Sequence, residues 1–159
     1  KHLVEVKDVI YNKYMNILKG MLKDSYESKG IKASGQWGES LETFNNGDSV
    51  GVKAASNSSV MMSKGRKAGA YSNIEAIKEW IKVKQGLPQA FKNNPDKFAF
   101  IISRNHFLKG VKIPNAFNKG KVISEPLDRF IIQHLPKMFE ELGDSYIINL
   151  TDYLNTQIK

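Results

Sequence analysis

Asp48 and Lys53 come nearest, in this 159-residue chain, to a hydrolytic pattern. Carboxylates and a lysine on adjoining strands can hold a divalent cation and polarise a phosphodiester. That chemistry needs a second carboxylate two residues before the lysine, and Gly51 stands there instead. The three histidines, His2, His106 and His134, never fall at the i, i+4 spacing of a helical metal pair, and the chain has no cysteine to complete a zinc site. His134 lies on an apolar stripe and reads as a core or interface residue. His106 has Arg104 and Lys109 as neighbours, which disfavours a bound cation. No G-x-S-x-G offers a nucleophilic serine. Gly120-Lys121 lacks both the earlier glycine and the following Ser/Thr of a phosphate-binding loop. The paired acids Glu140 and Glu141 read as a solvated helix face. The expectation is a protein without catalytic residues, metal or cofactor.

Charge is the stronger signal. The net charge is +8, and Lys64 to Lys121 carries thirteen Lys/Arg against three acids, or +10. The remainder is −2, and Val122 to Lys159 alone is −3. A cationic middle favours an acidic partner, whether nucleic acid or a neighbouring acidic surface. The absence of cysteine removes disulfides and thiolate catalysis and fits a cytosolic or virion protein. No apolar run approaches the ~20 residues of a membrane-spanning helix. The chain opens at Lys1 without a methionine, so a start further upstream is expected, and nothing visible resembles a secretory signal.

The elements that must position these charges follow from the patterning. A single α+β domain over 1–159 is expected, with a small antiparallel β-sheet packed by a long N-terminal helix and two central helices, and a helical C-terminus. Residues 2–28 read as an amphipathic helix with Leu3, Ile10, Tyr14, Ile17, Leu18, Met21 and Leu22 on one side, ended by Gly30. It either drapes across the sheet or joins two subunits. A β-meander over 40–63 has strands Ser40–Phe44, Ser49–Ala54 and Ser59–Ser63, with Asn46-Gly47 turning the first hairpin. A basic loop, 64–72, brings Lys64, Arg66 and Lys67 onto a glycine-containing backbone. Two helices fill 73–110. Ser72 and Glu75 have capping-box spacing, and Ile74, Ile77, Trp80 and Ile81 form the core stripe of the first helix, with Lys78, Glu79, Lys82 and Lys84 largely opposite. Asn94-Pro95 opens the second, with Phe98, Ile101, Ile102 and Leu108 on one face. A loop, 111–123, carries Phe117, which either anchors a partner or folds back on the core. The helical region 124–159 is bent by Pro136 and kinked near Gly143, with Tyr146, Leu150 and Leu154 continuing its stripe.

GRKAG followed by IEAIKEWIKVKQG resembles the G-R-x-x-G…I-x-x-I-x-x-W-[IV] signature of tailed-bacteriophage neck proteins, which join head to tail or complete the tail. SGQWGESLETF is similar to the family's upstream turn, with Trp37 in place of the usual leucine. FAFIISRNHFLKGVKIPNAF and the following EPL resemble its second helix, return loop and closing helix. The likeness covers about Leu18 to Phe130. Ala68 and Asn73 depart from it where many relatives carry proline, and the tail after Phe130 is longer. The resemblance implies a virion protein, assembled in the host cytoplasm, forming a closed homomeric ring, sixfold or twelvefold, that joins portal and adjacent neck or tail proteins around the DNA channel. Lys64, Arg66, Lys67, Phe117, Glu140 and Glu141 are then the expected ring or partner contacts, with Arg66 and Lys67 facing Glu140, Glu141 or Asp144 of a neighbour. Phe117 and the 2–28 helix would supply the apolar anchors. Lys109, Lys112, Lys119 and Lys121 are the expected contacts to DNA in the lumen. The alternative is a basic nucleic-acid-binding domain without enzymatic activity, with Tyr71, Phe117 or Trp37 stacking on bases.

Overall fold

The structure, a computed structural model, describes residues 2–31 and 34–157. The side chains of residues 2–5 also lie outside that description. The expectations for His2 and Leu3 and for the end of the C-terminal region therefore fall outside the described residues. The chain is α+β, as expected: the described residues form eight helices, 66% helix, and a two-stranded antiparallel sheet.

The first helix, α1 (His2–Ser28), runs where its periodicity predicts. Ile10, Tyr14, Leu18 and Leu22 are buried at four-residue steps, and Gly30 ends the run at φ 66. Two helices, α7 (Ser124–Gln133) and α8 (Leu135–Gln157), lie against it. Phe130, Met138 and Leu142 close one core over α1, together with Trp37, Leu41, Met62 and Val122. Trp37, on the short α2 (Gln36–Glu39), packs at 5.0 Å from the Tyr26 ring and donates its indole N–H to Ser59 Oγ.

The hairpin β1 (Glu42–Asn45) and β2 (Val50–Lys53) pairs Thr43 with Val52 and Phe44 with Gly51. The turn falls where expected but is centred on Gly47-Asp48 and not on Asn46-Gly47: Asn46 N–H donates to Ser49 O at 3.0 Å, and of these residues Gly47 alone takes positive φ, at 88. The third strand of the expected meander is corrected. Ser59–Ser63 belongs to α3 (Ser56–Lys64), where Ser59 Oγ and Ser63 Oγ each donate to the carbonyl four residues back. Only Met62 is buried there, so one helical contact satisfies the segment and a ladder is not required.

A second, separate core lies between α4 (Ile74–Val83), the short α5 (Gln89–Asn93) and α6 (Pro95–Lys109), built on Ile77, Ile81, Leu87 and Ala99. The expectation that both central helices pack the sheet is corrected accordingly. The sheet rests on α1, and α4 and α6 pack chiefly on each other. The stripe of α6 is also corrected. Its buried positions are Ala99 and Ser103, whereas Ile101 and Leu108 are exposed. Small side chains let α4 and α6 approach closely, and that fit sets the helix rotation. Ile74 is corrected as a core anchor because it sits at the surface in the first turn, and Trp80 is half-buried.

The C-terminal helices divide at His134, not at Gly143. Pro136 is the second residue of α8, where its missing N–H would have had no partner, so it starts a helix without bending one. Gly143 is passed without interruption.

Candidate interaction surface

The basic loop is held at three points. Arg66 N–H donates to Val111 O at 2.9 Å, Val111 N–H returns to Arg66 O at 2.7 Å, and Gly69 N–H reaches Phe107 O at 2.8 Å. Two glycines make the bridge fit. At Gly65 and Gly110, both at positive φ, a Cβ would lie 2.0 Å from Val111 O and 2.3 Å from Arg66 O respectively.

Arg66 turns its guanidinium inward, donating to Ser72 Oγ and to Tyr71 O. The same Ser72 Oγ shares a hydrogen bond with His106 Nδ1, 2.6 Å away. Ser103 Oγ donates to Ser72 O. The expected capping box is therefore corrected. Asn73 caps α4 by accepting from Ala76 N–H, which leaves Ser72 free to join the loop to α6. A serine hydroxyl on an imidazole is half of a nucleophilic pair. Among the described residues no carboxylate bonds the ring's other nitrogen, and Arg66 already occupies the hydroxyl oxygen, so the arrangement serves to clamp the loop. No cluster of three His, Asp or Glu side chains converges among the described residues.

Burial first, and then the Arg66 charge, hold His106 below its ordinary pKa. A group held neutral in the fold but free to protonate when unfolded gives stability that is full above the unfolded value, near 6.5. That stability is lost as pH falls through the lower folded value. Denaturation midpoints measured from pH 7.5 down to 5 should fall for the parent chain, and His106→Gln should flatten that slope. An unchanged slope would show that His106 is not the titrating group.

Lys84 was expected on the solvent face of its helix and is instead buried, donating Nζ to Gly30 O. Burial lowers its pKa. This bond ties the end of α4 to the end of α1, and no sequence signal separates Lys84 from its exposed neighbours. Asn118, also unremarked in the sequence, is buried and donates to Met62 O.

Between the two cores lies an apolar cleft of about 600 Å³, lined by Met61, Met62, Ile77, Trp80, Leu87, Val111 and Ile113 among others. Phe117 stands at its edge, half exposed, with its ring 5.9 Å from Trp80 in an edge-on contact. Phe117 thus folds back onto Trp80 and still leaves about half of its surface exposed. Trp37 is buried and offers no ring to a base, whereas Tyr71 is stacked on Phe107 at 4.5 Å and remains exposed.

The remaining predicted contacts divide cleanly. Lys64, Lys67, Lys109, Lys112, Lys119 and Lys121 are exposed and form no ion pair among the described residues. Arg66 is spent within the subunit, as is Glu141, which accepts from Lys13 Nζ at 2.7 Å and Tyr14 OH at 2.8 Å. Those bonds lower the Glu141 pKa, Lys13 first. Glu140 and Asp144 stay exposed beside it.

Large apolar side chains remain outside both cores. On α8 these are Phe139, Tyr146, Ile147, Ile148, Leu150, Tyr153 and Leu154, each half exposed or more. Among the described residues no helix is long and apolar enough to cross a membrane. Comparison with protein-family models, curated proteins and solved structures finds no match for the chain.

Proposed function

We propose that the chain is a structural subunit of a tailed-bacteriophage neck, non-enzymatic, and assembled as a closed homomeric ring between portal and tail. The observation that supports this reading best is the outer face of α8, where apolar side chains continue for about three turns past the last residue buried against α1. Contiguous exposed apolar surface on this scale marks an interaction site. A cyclic ring needs two unlike patches on each subunit, and the free lysines of 64–121 and the acids of α8 are unlike patches. The resemblance of Gly65–Gly86 to neck proteins supplies the assembly class.

The free lysines at 109–121 favour an additional role, non-specific contact with DNA crossing the ring. Binding of duplex DNA by phosphate contacts should weaken steeply as salt rises, while subunit association should not. The deciding experiment is a reconstruction of the virion with the subunit located. Density for a ring at the head–tail junction is the expected result. A position elsewhere in the particle, or absence from it, overturns the assignment.

A further inference from the structure

Within that proposed ring, on which this inference rests, we infer that the outer stripe of α8 docks into the apolar cleft of a second copy of the same chain. The stripe has the spacing a groove reads. Tyr146, Leu150, Tyr153 and Leu154 recur at i, i+4, i+7 and i+8, the anchor pattern of a helix laid in a hydrophobic groove. Within its own subunit α8 packs on α1 and α7 through Met138 and Leu142. The segment from Leu142 to Gln157 continues for roughly 22 Å at 1.5 Å per residue.

The cleft is the matching concavity. At about 600 Å³ it falls among volumes that accept several large side chains, and Met61, Ile77, Trp80, Val111, Ile113 and Phe117 give it an apolar lining. Charge chooses the occupant. Lys64, Lys112 and Lys119, all exposed and without ion pairs among the described residues, lie within two residues of lining positions. The helix carries Glu140 and Asp144, both exposed, on the turns just before its stripe. A second α8 is the competing occupant, and charge disfavours it. Leu135–Gln157 holds four acids and Lys137 as its single base, so two such helices meet with like charge. The α8–cleft contact is heterologous, so its repetition builds a ring where the rotation divides a full turn and an open chain where it does not.

The absence of cysteine makes the test direct. Leu150→Cys and Ala116→Cys, introduced together in the full chain, place one thiol on the stripe and one on the loop beside Phe117. A short bis-maleimide added over a range of protein concentrations should give a ladder of dimers, trimers and higher species. Either single variant should give no ladder beyond dimers. Glu140→Lys with Asp144→Lys should cut the ladder by roughly tenfold, and Lys112→Glu with Lys119→Glu should restore it. Dimers from Leu150→Cys alone, without a ladder from the pair, would assign the stripe to a second α8 and overturn the inference. So would an absent ladder at every concentration. Native mass spectrometry of the same samples separates this contact from the ring itself. Closed oligomers without cross-links keep the ring and discard the contact, and open-ended chains with cross-links do the reverse.

Discussion

Ile81→Ala should cost about 3–4 kcal/mol, within the range for emptying a buried isoleucine site. Ile81 is fully buried among Ile77, Leu87 and Ala99, with Trp80, Phe91, Phe98 and Ile102 around them. This second core holds four buried residues, so a missing side chain there has few neighbours able to collapse into the space. Ile74→Ala, two helical turns earlier at the surface, should change stability by less than about 1 kcal/mol. Trp80→Ala should fall below the cost of a fully buried aromatic, because one edge of the ring faces the cleft and Phe117. Urea titrations of the three variants give the comparison as midpoint shifts at constant slope. The two tryptophans divide the readout usefully: Trp37 lies in the first core and Trp80 packs on the second. Their fluorescence transitions should coincide in the parent chain, since the Arg66–Val111 bridge and the Lys84–Gly30 bond join the cores. Equal losses at Ile74 and Ile81 would show that α4 is rotated from the packing described.

That rotation marks where sequence patterning succeeds and where it stops. In α4 both buried residues, Ile77 and Ile81, lie on the apolar stripe, so they were legible from spacing, although Ile74 at its start is exposed. In α6 they do not. Ala99 and Ser103 face the partner helix because they are small, a property hydropathy barely registers, and Phe100, Ile101 and Leu108 are left outside. The hairpin was legible because Asn46-Gly47 signals a turn, although its centre falls one residue later, whereas α3 was not. Val60, Met61 and Met62 are equally consistent with a short strand, and what decides is that only Met62 has somewhere to be buried.

The surface divides in the same way. Free lysines follow from composition, since thirteen cations against three acids cannot all be paired. Which cation turns inward does not follow, because Arg66 and Lys84 are selected by Ser72, Tyr71 O and Gly30 O, partners distant in sequence or contributed by the backbone. The cleft was illegible for a related reason. It lies between two cores whose separateness emerges only once α4 and α6 are seen to pack on each other rather than on the sheet.

Gly110→Ala should lower stability by about 3–4 kcal/mol, where Gly30→Ala should cost only about 1–2. Both glycines sit at positive φ, 68 and 66, where an alanine carries a penalty on the order of 1–2 kcal/mol, and Gly110 with its ψ of −162 lies in a region essentially confined to glycine. Their surroundings differ. Nothing lies within 4 Å of a Cβ at Gly30, whereas at Gly110 it meets Arg66 O at 2.3 Å, Ala68 N at 2.9 Å and Lys67 C at 3.0 Å. All three are backbone atoms, which cannot swing aside as a side-chain tip does. Relief requires the loop to lift from Val111, breaking both hydrogen bonds of the bridge at about 1 kcal/mol each. Gly65→Ala, whose Cβ would meet Val111 O, should reproduce the loss from the opposite strand. Lifting the loop also removes the wall that Val111 and Ile113 give the cleft, so both variants should lose the bis-maleimide ladder under conditions where they remain folded. A Gly110→Ala protein no less stable than Gly30→Ala would show that the bridge between loop and α6 does not hold the two cores in register.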